Sequence, residues 1–192
     1  CFDIDITRYL QDENTLVVCV KDPTDEQPIS RGKQKFKHGG IWYAPTSGIW
    51  QSVCIEYLPK QYIKSLKITP DLDNSEVSIS ILTNDGGTSF QILDEDKKLH
   101  SSDNGQIVIK MENPSLWSPE NPRLYYFEAI YKDDKVKSYF AMRKFSIGKR
   151  DDGKPCFMLN NKPYFMTGLL DQGYWSDGLY TAPNDEALIF DI

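Results

Sequence analysis

A mainly β protein with an antiparallel sandwich at its centre is what the sequence predicts, and three observations carry the prediction. Short runs of alternating apolar and polar residues recur between Tyr62 and Ile147. Turn-forming clusters separate them, among them Asn84-Asp85-Gly86-Gly87, Asp103-Asn104-Gly105 and Pro119-Glu120-Asn121-Pro122. No helical period interrupts the series, and such spacing belongs to a sandwich of immunoglobulin-like size.

Along the chain, Thr15–Lys21 is rich in β-branched residues and closes at Asp22-Pro23, so it reads as a strand ended by a turn. Residues 22–40 carry prolines, glycines and many charges and read as a long loop. Ile49–Glu56 returns to alternation. The sandwich strands are then expected at Ile63–Ile68, Glu76–Leu82, Thr88–Leu93, Gln106–Met111, Tyr125–Tyr131 and Lys137–Ile147. Each offers one apolar face, as Val77, Ile79 and Ile81 do, which places the core between two facing sheets. After Gly148 come a short strand at Cys156–Leu159, a turn at Asn160-Asn161-Lys162 and a buried strand from Pro163 to Leu170. A loop follows, then a helix that Asn184 caps, with Asp185 and Glu186 in its first turn. Strand, loop and helix in this order resemble the opening of a β/α unit.

Composition narrows the function. Hydrophobic residues at 40% and charged residues at 26% describe a folding globular chain. With 22 Lys and Arg against 28 Asp and Glu, the net charge is −6, and no basic stripe is present to neutralise a phosphate backbone, which argues against nucleic acid. Cys1, Cys19, Cys54 and Cys156 are too scattered for a disulfide framework and read as buried thiols. No apolar run approaches the roughly 18 residues of a membrane span. His38 and His100 stand apart from any second ligand and read as solvated loop residues, so neither metal nor cofactor is expected. Both ends read as cuts: the chain opens in strand-like alternation without Met and stops in a helix, which leaves a cytoplasmic or periplasmic location open.

Three segments together resemble glycoside hydrolase family 2, the group of β-galactosidases, β-glucuronidases and β-mannosidases. Ile41–Gln51, with its Ser47-Gly48-Ile49-Trp50 core, resembles the signature near the end of the family's sugar-binding jelly roll. Leu116-Trp117-Ser118-Pro119-Glu120-Asn121-Pro122-Arg123-Leu124-Tyr125, followed by Tyr139–Lys144, resembles the paired motifs of its immunoglobulin-like domain, with Ala141 where glycine is usual. Leu159–Pro163 and Gly168–Trp175 resemble the hairpin and first strand that open the catalytic (β/α)8 barrel. The resemblance implies a jelly-roll tail at 1–58, a sandwich at 59–148 and the start of a barrel at 149–192.

It also implies hydrolysis of terminal β-linked sugars by a retaining mechanism, which requires two carboxyl groups about 5 Å apart. The family's acid/base motif, an Asn-Glu pair, does not occur in positions 149–192, so no catalytic residue is assigned and the chain is expected to be a non-catalytic internal piece. The loop after the first barrel strand holds the substrate-binding candidates. Asp171, Gln172 and Asp177 offer hydrogen bonds to sugar hydroxyls, and Trp175 offers a ring to stack on a sugar face. Capping by the aspartates and packing by Trp175 is the structural alternative. Trp42, Tyr43 and Trp50 are expected to pack, Trp117 to anchor a strand entry, and Arg143 to make a structural pair. The competing function is a stand-alone carbohydrate-binding or protein-interaction sandwich. Phe165, Met166, Leu169 and Leu170 would lack their covering layers, which makes a homo-oligomer through this segment an expectation.

Overall fold

The computed structural model describes residues 3–49, 51–170, 175 and 180–192. They fall into two compact units, one formed by Cys1–Cys54 with Leu170–Ile192 and the other by Ile55–Leu169.

The larger unit contains the strands β1 (Ile63–Asp71), β2 (Glu76–Thr83), β3 (Phe90–Asp94), β4 (Leu99–Ser102), β5 (Gln106–Lys110), β6 (Tyr125–Tyr131) and β7 (Asp134–Phe140). They form two antiparallel sheets, ordered β1-β2-β5 and β4-β3-β6-β7. Alternation does what the sequence implies: Val77 and Ile79 on β2, Ile92 on β3 and Ala129 on β6 are fully buried, with Phe90, Ile107, Phe127, Tyr131, Phe140 and Met142 around them. Each large apolar side chain buried this way contributes about 1.5–3 kcal/mol.

One charge ties the sheets together. Asp134 opens β7 almost wholly buried, and its Oδ2 accepts the Ile63 N–H of β1 at 2.8 Å. Removing that acceptor strands a buried donor, which costs about 1–3 kcal/mol. Asp134→Ala is therefore expected to lower the urea midpoint accordingly, and an unchanged midpoint would show that water takes over the bond.

The turn from β2 to β3 is built around Asp85. Its carboxylate accepts the Tyr131 hydroxyl at 2.7 Å, the Gly87 N–H at 3.1 Å and the Gln61 amide at 2.5 Å. These bonds, the Tyr131 hydroxyl first, hold the carboxyl far below the usual carboxylate range. A depressed folded-state pKa means stability present above the unfolded value of about 4 and lost as pH falls through the folded one. Acid should thus weaken the wild-type sandwich progressively below pH ~4, and the limb should be flatter in Asp85→Asn. Identical acid limbs in the two proteins would remove Asp85 as the cause.

The run expected at 137–147 is two strands. β7 ends at Phe140 and β8 (Phe145–Lys149) begins a separate sheet, ordered β10-β9-β8, with β9 (Pro155–Leu159) and β10 (Lys162–Pro163). Residues between them leave the ladder because their backbone bonds go elsewhere: the Met142 carbonyl accepts from Trp117 N at 3.0 Å and Lys144 N donates to the Asn160 side chain at 3.0 Å. The expected buried strand from Pro163 to Leu170 stops after Pro163, and Phe165, Leu169 and Leu170 are each 87% exposed. Pairing carries a strand, and past the bond from Tyr164 N–H to the Phe157 carbonyl no ladder continues among the described residues.

The same reason corrects the two strands expected before the sandwich. Thr15–Lys21 and the described part of Ile49–Glu56 form no strand, and Leu16, Val17, Val18 and Ile55 are exposed. Local order before the sandwich includes a 3-10 turn at Thr7–Tyr9 and the bridges Gln34 to Tyr43 and Gly39 to Trp42, with Lys35 Nζ 3.9 Å above the Trp42 ring. The helix α1 (Asp185–Asp191) starts as expected, its Ala187 N–H bonded to Asn184 Oδ1 at 2.9 Å. Cys19 and Cys54 are exposed and Cys156 is half-buried, so the expected burial of the thiols fails for them because the strands that would have covered the first two do not form; Cys1 lies outside the described residues.

Candidate functional site

The motif Leu116–Tyr125 enters β6 through a loop that holds itself. Ser118 and Asn121 exchange backbone hydrogen bonds at 3.0 and 3.1 Å, and the Asn121 amide donates to Ser115 Oγ and the Leu116 carbonyl, each at 3.1 Å. The Tyr125 hydroxyl accepts from Ser115 N at 2.7 Å, and its ring stacks on Phe140 with centroids 5.4 Å apart. Arg123 lies 4.4 Å from the centre of that ring and pairs with Glu95. Trp117 faces the other way. Its ring takes the Arg143 guanidinium at 4.6 Å and meets Phe145 edge to face at 6.5 Å. Arg143 therefore pairs with aromatic faces, a cation–π arrangement.

Onto this loop the β9–β10 hairpin is fastened by its turn. Asn160 and Asn161 both hold positive φ, 53° and 63°, the conformation of a two-residue type I′ hairpin turn that asparagine tolerates. Asn160 makes three bonds from that position. Its N–H donates to the Lys144 carbonyl at 2.8 Å, its Oδ1 accepts Lys144 N at 3.0 Å, and its Nδ2 donates to the Trp117 carbonyl at 2.9 Å. Beside it, the Asn161 amide donates to Asp73 Oδ1 at 2.9 Å, while the Lys144 ammonium pairs with the other oxygen of Asp73. These two donors, Lys144 first, hold the Asp73 carboxyl below its usual range. Tyr164 completes the contact by donating to Glu120 Oε1 at 2.9 Å. The result is a joint between hairpin and sandwich whose carboxylates are already engaged as acceptors.

Of the substrate-binding candidates, Trp175 is half-buried, and Asp171, Gln172 and Asp177 lie outside the described residues. Trp42 and Tyr43 are half-buried, and Trp50 is outside the described residues. His100 departs from the expectation of a solvated loop: it sits in β4, with its ring nitrogen 2.9 Å from Asp94 Oδ2. Burial pushes the Asp94 carboxyl up, but bonds from His100 and the Lys98 N–H prevail and hold it low. His38 is exposed. Among the described residues no group of three or more His, Cys, Asp or Glu is placed to hold a metal ion, and no helix is long and apolar enough to cross a membrane. The sequence marks Asn160 as part of a hairpin turn and motif but gives no sign of its bonds to Lys144 and Trp117. Its double-asparagine turn, opposite the Leu116–Tyr125 motif, was the available signal.

The family model of Glycosyl hydrolases family 2 matches residues 61–143. A β-galactosidase of Thermoanaerobacter pseudethanolicus is 27% identical over 190 residues, covering 88% of this chain and 25% of that protein. A β-galactosidase of Lactococcus lactis is 26% identical over 165 residues, covering 82% and 16%. Among solved structures, a β-glucuronidase of Faecalibacterium prausnitzii superposes with a TM-score of 0.53 at 23% identity, over 67% of this chain and 21% of its own. That last likeness is one of fold. The chain spans about a fifth of the length of the curated relatives it matches.

Proposed function

We propose, for a chain whose sandwich belongs to glycosyl hydrolases family 2, that its role is to carry and orient the catalytic barrel of an enzyme hydrolysing terminal β-linked sugars with retention. In this reading residues 1–58 end a sugar-binding jelly roll, 59–148 are the immunoglobulin-like sandwich, and 149–192 open the barrel. The observation that carries it is the Asn160 joint. Three hydrogen bonds at one residue, with Asp73, Lys144 and Asn161 beside it, join the hairpin to the sandwich where the chain leaves it. A hairpin fastened in this way gives the domain that follows it a fixed starting point on the sandwich.

The carboxyl pair is assigned beyond Ile192. Asp171, Gln172 and Asp177 are proposed to bond sugar hydroxyls, and Trp175 to stack on the sugar ring, in a site that later barrel strands complete. The purified 192-residue chain should therefore leave nitrophenyl β-galactoside and β-glucuronide intact, while the longer gene product cleaves at least one of them. Turnover that stays with the short chain through successive purification steps would refute the assignment.

A further inference from the structure

We propose a second carbohydrate-binding surface, for an anionic β-linked polysaccharide, on the outer face of the β4-β3-β6-β7 sheet. Tyr126 on β6 and Tyr139 on β7 are cross-strand partners that point away from the core, 56% and 57% exposed, with ring centroids 5.9 Å apart and planes tilted by 55°. Buried neighbours on the same strands, Phe127 and Phe140, show that alternation sends these two rings outward. A shallow V of two amphipathic rings accepts the apolar face of a pyranose and leaves its hydroxyls wet.

The next rows of the same face carry the polar groups that such a ligand needs. Glu128 stands opposite Lys137, and Ile130 lies between Lys135 on one side and Gln91 on the other. Gln91 already bonds Ser101 at 3.3 Å on the outermost strand. Among the described residues Lys135, Lys137 and Glu128 form no ion pair, so the face offers two unpaired cations against one anion on a chain of net charge −6. An anionic chain is therefore drawn from the rings toward Lys137 and Lys135. The surface shares no residue with the joint at Asn160, and it stands whether or not the catalytic reading does.

Affinity electrophoresis of the full chain tests this with two β-1,4-linked glucans that differ in charge: cellouronic acid, which carries carboxylates, and hydroxyethyl cellulose, which does not. Cellouronic acid should retard the protein at least threefold more than hydroxyethyl cellulose. Tyr126→Ala with Tyr139→Ala should abolish retardation, and Lys135→Gln with Lys137→Gln should erase the preference. Tyr139→Ala alone, on the edge strand, serves if the double variant does not fold, and it should at least halve the effect. No retardation, equal retardation by both polymers, or retardation that survives loss of the rings would overturn the proposal. So would sedimentation showing a dimer that the tyrosine substitutions dissociate, since the face would then belong to a second copy.

Discussion

Replacing Gly87 by alanine is expected to destabilise the sandwich by about 3 kcal/mol, the upper end of what overpacking a core costs. A Cβ at this position would sit 2.8 Å from Cζ of Tyr131 and closer still to its hydroxyl oxygen. The ring cannot swing aside, because it is 1% exposed within the core and its hydroxyl is held by Asp85. Nor can the backbone yield freely, since the Gly87 carbonyl accepts Thr83 Oγ1 at 2.9 Å and its N–H donates to Asp85. Gly86 provides the control. It has φ of 78°, but a β-carbon there would meet nothing within 4 Å, so Gly86→Ala should cost only the ~1 kcal/mol of a left-handed alanine. Urea unfolding of both variants, and of Gly87→Ala with Tyr131→Phe, decides the matter. Removing the hydroxyl should recover part of the loss as a coupling energy. A cost under about 1 kcal/mol, or strict additivity in the double variant, would mean that the close approach is not what makes glycine necessary.

Asn160 carries the second large effect, and the effect is local. Asn160→Ala loses two side-chain hydrogen bonds, at about 1 kcal/mol each, and gives up asparagine's tolerance of a positive φ for up to about 1 kcal/mol more. Asn160→Gly keeps the backbone conformation and loses only the bonds. Hydrogen exchange at Ile147 and Phe157, which pair across β8 and β9, should therefore quicken roughly 100-fold in the alanine variant and roughly 30-fold in the glycine variant. Exchange at Ile79 and Ile92 should be unchanged. Equal acceleration in hairpin and sandwich would show that the two unfold as one, and the joint would lose its meaning as a separable fastening.

The sandwich was legible because its information is local. Tyr125–Tyr131 alternates so cleanly that its strand ends fall where the sequence puts them, and Glu76–Leu82 is off by a single residue. β4 was missed because Leu99-His100-Ser101-Ser102 carries one apolar residue; its strand character comes from pairing with Phe90–Leu93. Conversely, Thr15–Lys21 has every local mark of a strand and no ladder among the described residues. Propensity without pairing is insufficient. At the joint, Trp117 announced itself as an anchor, being an indole bracketed by turn residues. Asn160 did not, because its partners lie at Lys144 and Trp117, and sequence spacing holds no record of contacts that distant.

The interleaving of the two sheets has a consequence for synthesis. β2 pairs with β5 across a segment that holds β3 and β4, and β3 pairs with β6 across one that holds β5. As the chain leaves the ribosome, the β1–β2 and β3–β4 hairpins can close at once, but neither sheet is complete on its own. Ile92 has no partner on β6 until Ala129 has emerged. At ~5–20 residues per second that delay is roughly 2–8 s, during which the apolar faces of two finished hairpins stand open to solvent. Because the missing strands are non-local, no faster local step can close the gap. The nascent chain's period of greatest exposure to chaperones, proteases and neighbouring polysomes is thus written into the strand order, and it ends when β6 and β7 are released.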